Sequence, residues 1–113
     1  MTRPTQAVRS HAGRVIGEVS GEVLRLRRRG SRHLLRQHDA WAVDVAALVR
    51  AVELGVERVC VEDLDSGQVY VVDIDDFFRL GLRVDFGHGA QLALPRSYWA
   101  RSSASQLRLA IGT

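Results

Sequence analysis

Six arginines fall within twelve residues, at Arg25, Arg27, Arg28, Arg29, Arg32 and Arg36. Alternation along a strand places Arg25, Arg27 and Arg29 on one face and Leu24 and Leu26 on the other. The turn-forming run Arg28-Arg29-Gly30-Ser31-Arg32 can then return the chain so that Arg32 and Arg36 come beside the first three. A ladder of guanidinium groups repels itself unless an anion relieves it, and a planar fork suits phosphate or carboxylate oxygens. A phosphate backbone of DNA or RNA is one such anion. A solvated sheet edge, or pairing with acids of the same chain, is the competing account.

A second constellation is Tyr98-Trp99, which follows Pro95 and lies between Arg96 and Arg101. An aromatic pair flanked by arginine can stack a base or anchor a protein interface. It can equally lock the C-terminal part of the chain over a core.

The histidines raise a third chemistry. His33 and His38 flank the return segment, and His88 lies between Gly87 and Gly89. With a carboxylate they could hold a transition metal and assist phosphodiester hydrolysis, as in a small metal-dependent nuclease. An interval of five residues, however, sets His33 and His38 on opposite faces of a strand, and the pattern is not HExxH. No metal site is therefore assigned. There is no nucleotide-binding glycine loop and no nucleophile elbow, so no cofactor is expected and an enzyme is not the leading reading. The acids Glu62, Asp63 and Asp65 bracket a turn, while Asp73, Asp75 and Asp76 crowd a helix start. Turn and helix geometry account for both groups without catalysis.

These residues must be positioned by a chain of 113 residues with 46% hydrophobic content, two Pro and one Cys, enough for one ordinary core. All 16 basic residues are Arg, set against 13 acids for a net charge of +3. Residues 1–38 carry nine Arg against two Glu, whereas residues 39–85 carry four Arg against eleven acids. A basic pole and an acidic pole follow, able to pair within the chain or with a protein partner, including a second copy in a homo-oligomer. The lone Cys60 excludes an internal disulfide and, between Val59 and Val61, reads as a buried strand thiol. No apolar run is long enough for a membrane helix, and the start lacks the apolar core of a secretory signal, so a cytoplasmic protein is expected.

The expected fold is α+β: a flexible N-terminal arm over 1–12, then a single compact domain over 13–113 with five or six mostly antiparallel strands, one long helix and one short one. GRVIGEVSGEVLRLRRRG changes its apolar phase near Gly21, which predicts two strands with a bend between them. Ala40 to Leu54 reads as the longest helix, with Trp41, Val45, Leu48, Val49 and Val52 as its buried stripe and Gly55 as its stop. Glu57–Asp63 and Gln68–Val72 form a hairpin across Asp65-Ser66-Gly67 at the centre of the sheet. Asp73 caps a short helix over Ile74–Leu80. Strands follow over Leu82–Phe86 and Gln91–Leu94.

Three function classes result, the last being the small metal-dependent nuclease, which requires His33, His38 or His88 to converge with carboxylates. The first is a small nucleic-acid-associated accessory protein binding a phosphate backbone through the arginine-rich hairpin. The second is a protein-interaction or self-assembly module with complementary basic and acidic surfaces.

Overall fold

The computed structural model describes residues 5–28, 40–85 and 89–102. Strands β1 (Gln6–Arg9), β2 (Val15–Ser20) and β3 (Val23–Arg28) form an antiparallel meander. The change of apolar phase near Gly21 marks its second turn, where Gly21 takes a φ of +61°, open to glycine without strain. The first strand lies within the segment 1–12 expected as a flexible arm, of which residues 1–4 are outside the described residues. Its segment shows no hydrophobic periodicity, yet Val8 is fully buried and the strand is held by backbone pairing to β2.

The expected long helix is the main correction. Ala40–Asp44 is a strand, β4, and the helix α1 runs only over Val45–Glu53. Trp41 and Val43 alternate toward the core while β4 pairs antiparallel with β8, so period two wins where an Ala-rich sequence also fits 3.6. The buried stripe of α1 is Ala47, Leu48 and Ala51, whereas Val49 and Val52 are exposed. Gly55 ends the helix as expected, at a φ of +86°, and the Val56 N–H donates back to the Ala51 carbonyl at 3.0 Å.

The next elements follow the sequence closely. Strands β5 (Arg58–Asp63) and β6 (Val69–Asp73) form the anticipated hairpin, and the short helix α2 covers Ile74–Leu80. Asp73 occupies the cap position of α2 but its side chain makes no capping hydrogen bond, contrary to expectation. Strands β7 (Leu82–Asp85) and β8 (Ala90–Pro95) pair antiparallel, and a single 3-10 turn (Arg96–Tyr98) leads to β9 (Ala100–Ser102).

Among the described residues nine strands form two sheets, in the orders β1-β2-β3-β5-β6-β9 and β4-β8-β7. All neighbours are antiparallel except β3 and β5, which run parallel over Val23–Arg28 and Arg58–Asp63. The chain between those two strands contributes β4 and α1, the kind of crossover that a parallel pair requires. One face of the long sheet (Val19, Leu24, Leu26, Val59, Val61, Tyr70, Val72) packs on Trp41, Val43 and Leu94 of the short sheet and on Leu48 and Phe77 of the helices. Trp41 and Tyr70 meet with ring centroids 6.0 Å apart. No described helix is long and apolar enough to cross a membrane.

Candidate functional site

Strand β3 carries the first half of the arginine cluster in the anticipated alternation. Leu24 and Leu26 are buried in the core, and Arg25 and Arg27 stand on the outer face of the long sheet. Their neighbours differ from the expected hairpin. β3 is flanked by β2 and β5, which set Glu18 opposite Arg25 and Glu62 opposite Arg27. Arg27 Nε lies 3.5 Å from Glu62 Oε2, with the two side chains 73% and 42% exposed. The return segment that would have stacked Arg32 and Arg36 beside them lies outside the described residues, as does Arg29.

Arg28 departs from the ladder. It falls on the core-facing parity of β3, in register with the buried Asp63, and is half-buried. Desolvation lowers its pKa from the usual guanidinium value, and its register sets it at the end of the core-facing row and not beside Arg25 and Arg27.

The outer face also holds Cys60, in register with Arg25 and 2% exposed. Burial pushes its thiol up to about 11, with the Arg25 charge pulling the other way and Glu62 adding to the rise. The thiol is accordingly an inert, packed group beside Val23 and Val69. Between β2 and β3 the face opens into a groove of about 440 Å³ lined by Ile16, Gly17, Glu18, Arg25, Arg27 and Glu62, among others. Gly17 sets the approach of the two strands: a Cβ there would collide with the Leu26 side chain and sit 2.7 Å from the Arg25 carbonyl oxygen, which cannot move aside.

The aromatic pair divides. Trp99 is buried at 5% exposure, its ring meets Phe77 edge-on at 5.3 Å, and its Nε1–H donates to the Leu94 carbonyl at 3.2 Å. Trp99 is therefore a core residue, as the alternative in which this segment locks over the core expects, and its buried ring presents no open face for stacking a base. Tyr98 is 52% exposed. Phe77 likewise anchors α2 while Phe78 points outward.

His33, His38 and His88 lie outside the described residues, so their convergence is not described. Among the described residues no three His, Cys, Asp or Glu side chains gather as a metal would require. The acid clusters follow local geometry: Asp63 Oδ1 accepts from the Asp65 N–H at 2.9 Å, and Asp76 accepts from Arg79 at 2.8 Å.

A polar cluster that the sequence reading missed joins His11, Asp44 and Gly89. Asp44 is buried at 5% exposure and caps α1, with Oδ1 accepting from the Ala46 and Ala47 N–H groups at 2.9 and 3.3 Å. The same oxygen accepts the His11 backbone N–H at 3.3 Å, and Oδ2 lies 3.0 Å from His11 Nδ1. Gly89, at a φ of +117°, packs on the His11 ring so closely that a Cβ would sit 2.8 Å from Cγ. No local pattern links His11 to Asp44, and Asp44 alone, directly before Val45, has the residue type of a helix cap. The cluster clasps the β1–β2 turn to the first turn of α1 and to the start of β8.

Comparison of the chain with protein-family models, with characterised proteins and with solved structures finds no match.

Proposed function

We propose that this chain is a protein-interaction module, and that the outer face of its long sheet is a binding surface. The observation that carries the reading is the opposition of Arg25 to Glu18 and of Arg27 to Glu62 across three adjacent strands. A polyanion approaching this face meets each guanidinium beside a carboxylate, which weakens phosphate attraction and adds repulsion. A protein surface with both signs of charge matches such a groove, and Ile16 supplies apolar contact area within it.

Nucleic-acid backbone binding is the second reading, favoured by one observation. The Arg27 side chain is 73% exposed and its ion pair is long at 3.5 Å, so a phosphate could compete for it.

Fluorescence anisotropy with labelled duplex and single-stranded DNA and RNA over a salt series separates the two. For the interaction module, replacing Arg25 and Arg27 together by Gln leaves any residual binding and its salt slope unchanged. A slope shallower by about two in the folded double variant transfers the assignment to phosphate contacts. Affinity capture with the wild-type chain and with Arg27→Glu supplies the protein-side readout. A chain that neither captures a partner sensitive to Arg27→Glu nor self-associates is not an interaction module.

A further inference from the structure

The clasp between His11 and Asp44 leaves one ring nitrogen unused. Asp44 takes three backbone N–H groups on Oδ1 and is an acceptor at both oxygens, so its Oδ2 contact puts the ring proton on Nδ1. The lone pair of the neutral ring is then on Nε2. Among the described residues nothing hydrogen-bonds to Nε2, and the His11 side chain is 41% exposed against 6% for Asp44. The atoms nearest a Cβ on Gly89 are Nδ1 and the two ring carbons bonded to it, so the Gly89 backbone holds the ring at its Asp44 end.

A basic nitrogen left open to solvent, with a buried carboxylate across the ring, is the arrangement of a nucleophilic histidine. Metal ligation needs more donors, and among the described residues no three His, Cys, Asp or Glu side chains gather. Charge selects the electrophile. The chain carries no acid from Thr5 to Gly17, while Arg9 and Arg14 flank the turn that bears His11. Arg9 Nη1 donates to the Gly13 carbonyl at 2.8 Å, which keeps this guanidinium on the turn, and Arg14 is exposed. Such surroundings favour an anionic electrophile, and a phosphoryl group brings three acceptor oxygens to guanidinium donors.

We propose that His11 Nε2 accepts a phosphoryl group from a donor of the phosphoramidate class, in which phosphorus is bonded to a protonated nitrogen. The Nε2 lone pair bonds to phosphorus as the P–N bond of the donor breaks, and the donor nitrogen leaves with that electron pair as a neutral amine. The ring keeps its Nδ1 proton and becomes cationic. The Asp44 carboxylate, 3.0 Å from Nδ1, stabilises that charge as it forms. This inference does not depend on the outer face of the long sheet being a binding surface.

The test incubates the full chain with potassium phosphoramidate at neutral pH and locates phosphorylated histidines by mass spectrometry without exposure to acid. His33, His38 and His88 serve as internal references. In the native chain His11 is expected to react at least about tenfold faster than any of them, and in concentrated urea, which breaks the clasp, that advantage is expected to vanish. Asp44→Asn keeps an oxygen for Nδ1–H and removes the charge, so it is expected to slow His11 by about tenfold and leave the other three rates unchanged. Circular dichroism confirms that this variant is folded. A native wild-type chain in which His11 reacts no faster than the other histidines overturns the proposal, whatever the fate of the variant. So does a folded Asp44→Asn chain whose His11 reacts at the wild-type rate.

Discussion

Asp44 Oδ2 lies 3.0 Å from His11 Nδ1, a contact that helps tie a helix cap to the turn between β1 and β2. A capping carboxylate alone satisfies local N–H groups. Here it also accepts the backbone N–H of His11 and sits almost fully out of water, so both of its oxygens are engaged.

Replacement of Asp44 by Ala removes the cap and the His11 contacts together, and is expected to cost about 2 kcal/mol. Asn keeps a capping oxygen and should cost less. Urea denaturation of both variants checks the order, which a purely surface role for Asp44 would not produce.

Gly89→Ala forces a methyl group into the His11 ring at a backbone angle that favours glycine. The expected loss is about 1–3 kcal/mol. In the background of His11→Ala the steric part disappears, so the penalty of Gly89→Ala should fall while the backbone part persists. A double-mutant cycle measured by chemical denaturation reports that coupling.

Leu48 is fully buried whereas Val52, one turn further along α1, is 48% exposed. Leu48→Ala is expected to cost about 2–5 kcal/mol through lost burial and a cavity. Val52→Ala should stay within about 0.5 kcal/mol. Equal effects at the two positions would contradict the assigned orientation of α1.

Cys60 makes stability depend on pH at the alkaline end. Its thiol titrates at about 11 in the folded chain against 9.0 for the ordinary group. Between those values the unfolded chain has lost the proton that the folded chain keeps, so stability falls as pH rises from 9 toward 11. The loss attributable to this group is on the order of 3 kcal/mol at most, and none of it occurs below the unfolded value. Cys60→Ala should flatten this part of a stability profile. Alkylation of the native thiol by iodoacetamide at neutral pH should be slow and should accelerate on unfolding.

Much of the architecture was legible because several segments obey a single period. Val59, Val61, Val69 and Tyr70, with Ser66-Gly67 between them, permit one hairpin, and Phe77 fixes the short helix after Asp73. Ala40–Asp44 was misread because Trp41 and Val45 satisfy the helical spacing while Trp41 and Val43 satisfy the strand spacing, and only the pairing with β8 decides between them. Gln6–Arg9 carries one core residue, Val8, too little for any pattern to register. The candidate surface was half legible. Alternation correctly turned Arg25 and Arg27 away from the core, but their opposition to Glu18 and Glu62 depends on which strands flank β3, a matter of long-range topology. The His11–Asp44 clasp joins residues 33 positions apart and leaves no local trace.

The parallel junction of β3 with β5 divides the long sheet into the local meander β1-β2-β3 and a second ribbon, β5-β6-β9, in which only the β5-β6 hairpin is local. β1, β2 and β3 follow one another through short turns, as do β5 and β6, while the junction joins Val23 to Arg58 across the intervening β4 and α1. Closing it requires that long excursion to be ordered, so we expect it to be the slow step of folding and the first seam to open in the native state. Amide protons donated across β3 and β5 should then exchange earlier than those within the β5–β6 hairpin. The reverse order in native-state hydrogen exchange would instead make the junction the most durable part of the sheet.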